Sequence, residues 1–195
     1  RLAWLFLNSE TDLTDGHPRR LVQFAPEPQL ARHFRRIPAL RYVTVDLASP
    51  RASVHTDITR LALADRTADA IYCSHVLEHV AADHRALSEL FRILKPGGWA
   101  LIQVPLGGEV TDEDPSLTDC SERLRRFGQA DHVRLYGRDL TARLTSHGFD
   151  VETVPYGTHF APDERARLGL RADHVLFFCR RPNARQATHR SARYA

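Results

Sequence analysis

Residues 70–105 read AIYCSHVLEHVAADHRALSELFRILKPGGWALIQVP, and the order of patterns inside them decides the architecture. Apolar residues 70–73 are interrupted at once by Ser74 and His75. Residues 81–94 then carry apolar groups at Ala82, Leu87, Leu90, Phe91 and Leu94, the three- and four-residue spacing of a one-sided helix. Lys95-Pro96-Gly97-Gly98 supplies the stop: a cation for the last turn, then residues that cannot continue a helix. A second apolar run, residues 99–104, follows directly. Strand, helix and strand in that order form a crossover unit, whose two strands lie parallel.

Outward from this unit the same alternation continues. Residues 2–7 read as the end of a helix, and residues 21–24 as a buried strand. Residues 29–34 start a helix with Pro28 close to its first position. Residues 41–45 and 54–56 are strands ended by Asp46 and Asp57, and residues 61–63 give at most a helical turn. Beyond Pro105 lies a long polar segment, residues 106–131, helical within 121–127. Residues 136–147 predict a helix stopped by Gly148, and residues 149–154 and 174–179 are the last strands. The pattern implies an α/β, doubly wound, Rossmann-like sheet with helices on both faces.

Composition bounds the rest. With 43% hydrophobic and 26% charged residues, the 195-residue chain suits a soluble domain with a real core. A single domain is expected over residues 1–181, with residues 182–195 a solvated, basic, disordered tail; an RNA-contacting arm is the sharper alternative for it. No apolar run approaches the roughly 20 residues of a membrane helix, and no secretory signal is visible. Cys73, Cys120 and Cys179 show no paired spacing, which favours reduced thiols and a cytoplasmic location. Net charge is +3 and the arginines are scattered, so no nucleic-acid partner is expected. The chain contains no methionine and begins at Arg1, so further sequence is expected ahead of it.

In an open parallel sheet, ligands bind beyond the carboxyl ends of the strands, where strand order reverses. The residues due there are 23–27, Asp46 with Leu47, Asp57 with Ile58, and Ser74 with His75. Asp46 lies about 20 residues past the first strand-to-helix turn, the separation at which a carboxylate accepts from a ribose diol. A plain turn or cap residue is the alternative.

The segments VTVDL (43–47), TDITRLALADRTADAIYCSHVLEHV (56–80) and LFRILKPGGWALIQVP (90–105) together resemble the class I S-adenosylmethionine-dependent methyltransferases, in the small-molecule, methyltransferase-11-like branch. The resemblance covers residues 21–149 and implies a mostly parallel sheet with an antiparallel strand near the C-terminus. It implies S-adenosyl-L-methionine as cofactor, leaving as S-adenosyl-L-homocysteine. It also implies that Asp46 holds the ribose with Leu47 beside it at the cofactor site, that Asp57 and Ile58 meet the adenine, and that Ser74 and His75 line the methionine side. Glu78 and His79 would fix the loop.

One departure stands out. Where the family has a glycine-rich turn, this chain has Gln23-Phe24-Ala25-Pro26-Glu27-Pro28-Gln29, with no glycine. Small Ala25 and two prolines would have to shape the turn. Gln23, Ala25, Pro26 and Glu27 are therefore the expected cofactor residues of that turn. The zinc-binding cysteine module of some relatives is missing, and no metal is expected.

On the acceptor side, methyl transfer needs positioning and, for a hydroxyl acceptor, removal of a proton. Gln129-Ala130-Asp131-His132-Val133-Arg134-Leu135-Tyr136 gathers polar groups in one segment. His132 is the candidate base, Arg134 a grip for a carboxylate or phosphate, and Tyr136 a packing surface. A loop-to-helix cap with a surface ion pair is the other reading of that segment. The acidic run Asp112-Glu113-Asp114 suits a solvated loop, with a cationic acceptor or a metal as the alternative. The expected activity is methyl transfer to a small molecule at oxygen. A catalytically silent cofactor-binding or scaffold protein of the same fold competes with it, and an RNA or protein methyltransferase is the third reading. Oligomeric state has no signature in the sequence.

Overall fold

Every predicted strand forms, and the helix–strand junction after residue 93 is tighter than the sequence suggests. The computed structural model describes residues 1–183; residues 184–195, most of the expected tail, lie outside the described residues. The strands are β1 (Arg19–Phe24), β2 (Leu40–Asp46), β3 (Val54–His55), β4 (Ala68–Ser74), β5 (Leu94–Gln103), β6 (Asp112–Glu113), β7 (Arg134–Leu135), β8 (Asp150–Val154) and β9 (Leu176–Arg180). The helices are α1 (Leu2–Ser9), α2 (Pro28–Phe34), α3 (Asp83–Ile93), α4 (Cys120–Phe127), α5 (Leu140–Ser146) and α6 (Pro162–Leu168).

Seven strands form one sheet in the order β3-β2-β1-β4-β5-β9-β8. Strands β1 to β5 pair in parallel, and β9 runs antiparallel to both β5 and β8. The chain winds outward from β1 through β2 to β3, then returns to β4 on the other side. Strand order therefore reverses between β1 and β4.

Period-two alternation splits β4 between two cores. Ile71 and Cys73 face α3 with Leu87, Leu90 and Ile93. Ala70 and Tyr72 face α1 and α2 with Phe6, Leu30 and Phe34. Each fully buried leucine is worth about 1.5–3 kcal/mol, so these two layers carry most of the stability.

Helix α3 ends at Ile93, and Leu94 already pairs with Ala68 in the sheet. Residues 95–98, expected as a separating stop, instead bulge within β5: Ala70 takes Trp99 as its next partner. Two glycines make this possible. Gly97 adopts a φ of +81°, and a Cβ on Gly98 would lie 2.7 Å from the Asp69 carbonyl oxygen.

The segment after β5 folds back as a two-stranded ribbon of β6 and β7, which the sequence reading missed. Residues 134–139, expected partly as helix, are strand and turn; α5 begins at Leu140. The acidic run is engaged in ion pairs. Asp112 and Asp114 pair with Arg126, and Glu113 pairs with Arg134 at 2.9 Å and Arg143 at 2.8 Å. Hydrogen bonds from Arg143 and then Arg134 hold the Glu113 carboxyl down at about 2, against an ordinary 4.5. A depressed folded value means the stabilisation is full above about pH 4.5 and lost as pH falls toward 2. Glu113→Gln should lower stability at neutral pH and flatten its fall across that acid window, read from urea midpoints. An unchanged acid slope would show that other carboxylates set it.

Candidate functional site

Two residues next to the reversal point hold backbone angles that side chains rarely adopt. Ala25, just past β1, has a φ of 46°, and His75, just past β4, has a φ of 52°. Phe24 and Cys73 are register partners, so these strained residues sit almost side by side at one edge of the sheet. Left-handed backbone costs a non-glycine residue about 1–2 kcal/mol, and such strain concentrates where a ligand must be approached closely. Ala25 thus performs the backbone turn expected of glycine, with only a methyl group to accommodate.

A cleft of about 270 Å³ opens between them and the ends of β2 and β3. Ala25, Asp46, Leu47, Asp57, Ile58 and His75 all line it, as the sequence leads one to expect. Asp46 fixes its own turn and keeps one carboxylate oxygen open. Its Oδ1 accepts from the Ala48 and Ser49 amides at 2.9 and 2.8 Å, which fixes the turn. Its Oδ2 has no hydrogen-bond partner among the described residues. Asp57 follows the same pattern, with Oδ1 accepting from the Thr59 amide and hydroxyl. Leu47 is 71% exposed at the rim, an uncovered apolar face where a flat ring could pack. Phe24, Val45, Val76 and Val80 complete an apolar wall that the sequence did not single out.

A second cavity, about 400 Å³, shares Ala25 and His75 with the first and adds Glu27, Ser74, Tyr72 and Gln103. Leu2 and Ala3 of α1 and His174 close its far side. The Tyr72 hydroxyl lies 3.1 Å from Gln103 Oε1 and 3.4 Å from Glu27 Oε1. Burial, with Glu27 beside it, pushes the Tyr72 hydroxyl up, so it remains a donor. A third cavity, about 270 Å³, lies beyond Gln103 and His174 and also touches His75. His75 borders all three. Its Nδ1 lies 3.2 Å from Glu78 Oε1, and that hydrogen bond raises its pKa.

Five sequence expectations need correction. Gln23 is fully buried and accepts from the Tyr42 hydroxyl; its side chain points into the sheet layer and away from the cleft. Pro26 is buried and lines neither of the first two cavities. Arg134 is 1% exposed, with every guanidinium nitrogen engaged: Nε donates to Glu113, Nη1 to the Leu77 and Val80 carbonyls, and Nη2 to the Ala81 carbonyl. It has no face to offer a substrate. Tyr136 is completely buried, donating to Asp83 at 2.7 Å. His132 is buried behind His79 and lines none of the three cavities, so an acceptor cannot reach it. The segment 129–137 looked catalytic because it is polar; Arg134, the Val133 amide and Asp131 hold the 77–81 loop, and Tyr136 is spent on Asp83.

The sheet order, the reversal-point cleft and the ribose-compatible carboxylate agree with what the comparisons with known proteins return. A family profile described as "Methyltransferase domain" matches residues 29–102. The match supports a class I S-adenosylmethionine-dependent methyltransferase domain. A "Probable S-adenosylmethionine-dependent methyltransferase" of Mycolicibacterium smegmatis is 30% identical over 142 residues, covering 72% of this chain and 48% of that one. The chain spans about half or less of the length of the curated relatives it matches. Among solved structures, a methyltransferase from Mesorhizobium loti superposes with a TM-score of 0.62 at 16% identity, covering 93% and 98% of the two chains. A Burkholderia thailandensis 1,6-didemethyltoxoflavin-N1-methyltransferase, with that molecule and S-adenosylhomocysteine bound, superposes at 0.58 with 18% identity, covering 93% and 76%.

The residues of the cleft fit the methyltransferase cofactor: an unengaged carboxylate oxygen, an apolar rim and a close-approach backbone turn lie together. Hydrogen bonds to a charged group are worth about 1.5–3 kcal/mol, so Asp46→Ala should weaken S-adenosylhomocysteine binding about 10- to 100-fold by calorimetric titration. Ala25→Val puts a branched side chain on left-handed backbone and should lower stability by about 1 kcal/mol or more. An unchanged urea midpoint for the Ala25→Val protein would mean the turn is not strained.

Proposed function

We propose that this domain transfers a methyl group to a small-molecule acceptor at oxygen, with His75 receiving the acceptor's proton. When bound, S-adenosylmethionine supplies the activated methyl on a sulfonium, so the protein's own work is positioning and proton removal. Asp46 would hold the ribose, Asp57 and Ile58 would meet the adenine, and Glu27 and Ser74 would face the methionine side.

The single observation that carries the reading is the place of His75. It stands where the cofactor cleft and the two further cavities meet. An Nδ1–H donated to Glu78 leaves Nε2 with a lone pair and no protein partner among the described residues. That is the tautomer a base requires. Concave cavities of about 270 and 400 Å³ suit a small molecule better than a polymer strand. The acceptor of the Burkholderia enzyme, 1,6-didemethyltoxoflavin, is also a small molecule, though that enzyme is named for a nitrogen. A base beside the acceptor favours oxygen, because a hydroxyl has to lose its proton as it is methylated.

The test is His75→Ala and His75→Gln, assayed by transfer of labelled methyl to a panel of phenols, hydroxy acids and amines. Turnover on hydroxyl acceptors should fall at least tenfold in both variants, with S-adenosylhomocysteine binding kept within a few-fold. General-base contributions are typically 10²- to 10⁴-fold. Equal turnover of wild type and His75→Ala would remove His75 as base. Activity confined to amines would overturn the oxygen assignment, and retained cofactor binding with no transfer to any acceptor would favour the silent-scaffold reading.

A further inference from the structure

Two buried atoms on opposite segments carry an unanswered lone pair. Glu78, 1% exposed, has no hydrogen-bond partner for Oε2, and His132, 2% exposed, has none for Nε2. Both belong to one trio. Glu78, His79 and His132 each offer a ligand atom, and these atoms lie within 4.8 Å of one another.

The protonation pattern sharpens this. His132 Nδ1 lies 3.0 Å from the Phe127 carbonyl oxygen, which can only accept. Its proton is therefore on Nδ1, and Nε2 is a bare acceptor. His79 Nδ1 lies 3.1 Å from Asp131 Oδ2. Glu78 Oε1 is held by His75, so Oε2 is the remaining acceptor. Glu78 and His132 are buried and His79 is exposed, so the trio closes over the edge of the buried region; acceptors facing one another there repel unless a cation or a donor lies between them. Each side chain is also oriented from behind: His132 by a backbone carbonyl, His79 by a carboxylate, Glu78 by an imidazole. That arrangement is how metal-ligating histidines and carboxylates are fixed in tautomer and direction.

We propose that Glu78, His79 and His132 bind one divalent transition-metal ion of the zinc class. Two imidazoles and a carboxylate are the donors that favour zinc and its neighbours over magnesium or calcium. Ligand distances of about 2.0–2.2 Å imply about 3.4 Å between tetrahedral ligand atoms, so the trio closes a little on binding. The ion would join the Leu77–His79 turn, a wall of the cofactor cleft, to the segment carrying His132. Because the second oxygen of Glu78 holds His75, the same ion would fix the orientation of that histidine. The sequence concealed the site: Glu78-His79 is a common-looking pair, and His132 lies far along the chain.

The experiment uses the chain stripped with a chelator and dialysed free of it. Addition of Zn²⁺ should give one equivalent bound by calorimetry and raise the melting temperature. Co²⁺ in its place should give visible absorption of tetrahedral or five-coordinate strength, displaced by Zn²⁺. His132→Ala and Glu78→Gln should each reduce zinc affinity at least tenfold, while S-adenosylhomocysteine titration confirms that the variants fold. No stoichiometric uptake by the stripped wild type, or equal uptake by both variants, overturns the site and leaves the space to water. None of these readouts involves methyl transfer, so the outcome is independent of the acceptor reading.

Discussion

The guanidinium of Arg134 is buried to 1% exposure, yet it is not isolated. It donates to the carbonyls of Leu77, Val80 and Ala81 and to the Glu113 carboxylate. A charge removed from water is costly unless it is paired and hydrogen-bonded, and here most of the acceptors are the backbone of the loop that follows β4. Asp83, Arg143 and Tyr136 extend the network: Arg143 bridges Asp83 and Glu113, and Tyr136 donates to Asp83. The Val133 amide adds a bond to the Glu78 carbonyl at 2.9 Å. The loop between β4 and α3 is thereby given a single conformation from outside itself.

That constraint is what allows His75 to hold its strained backbone. A residue at φ 52° relaxes unless its neighbours over-determine it. On one side Ser74 continues the β4 ladder, with the His75 amide bonded to the Gln103 carbonyl at 3.0 Å. On the other, residues 77–81 are pinned by Arg134. Across the gap, Ala25 is fixed by its own bond to the Val45 carbonyl and by Pro26 behind it. The edge of the cleft is thus stiff on both sides before any ligand arrives, which lowers the ordering cost of binding. Cavity, strain and buried network form one mechanical unit, and the trio of Glu78, His79 and His132 lies inside it.

Much of this could be read from residue order. The spacing of Leu87, Leu90 and Phe91 marked α3, and the apolar runs around it marked the two central strands. Asp46 and Asp57 were legible because strand ends are where a parallel sheet presents its polar groups. Less visible was what the polar residues of 129–137 do. Hydrogen-bond partners of Arg134 are carbonyls more than fifty positions away, and a carbonyl carries no side-chain signature. The same blindness hid the ribbon of β6 and β7, since two-residue strands have no period to detect. Gln23 misled for a similar reason: a polar side chain at a strand end suggests the ligand, but Tyr42 on the neighbouring strand claims it.

By itself, then, the chain order determined the doubly wound sheet and the carboxylates that end its strands, because periodicity and turn chemistry are local properties. Tertiary structure alone decided which polar groups face the cleft and which are consumed in supporting it. A donor or acceptor chooses among every partner within about 3 Å of it, and that neighbourhood exists only once distant segments have packed together.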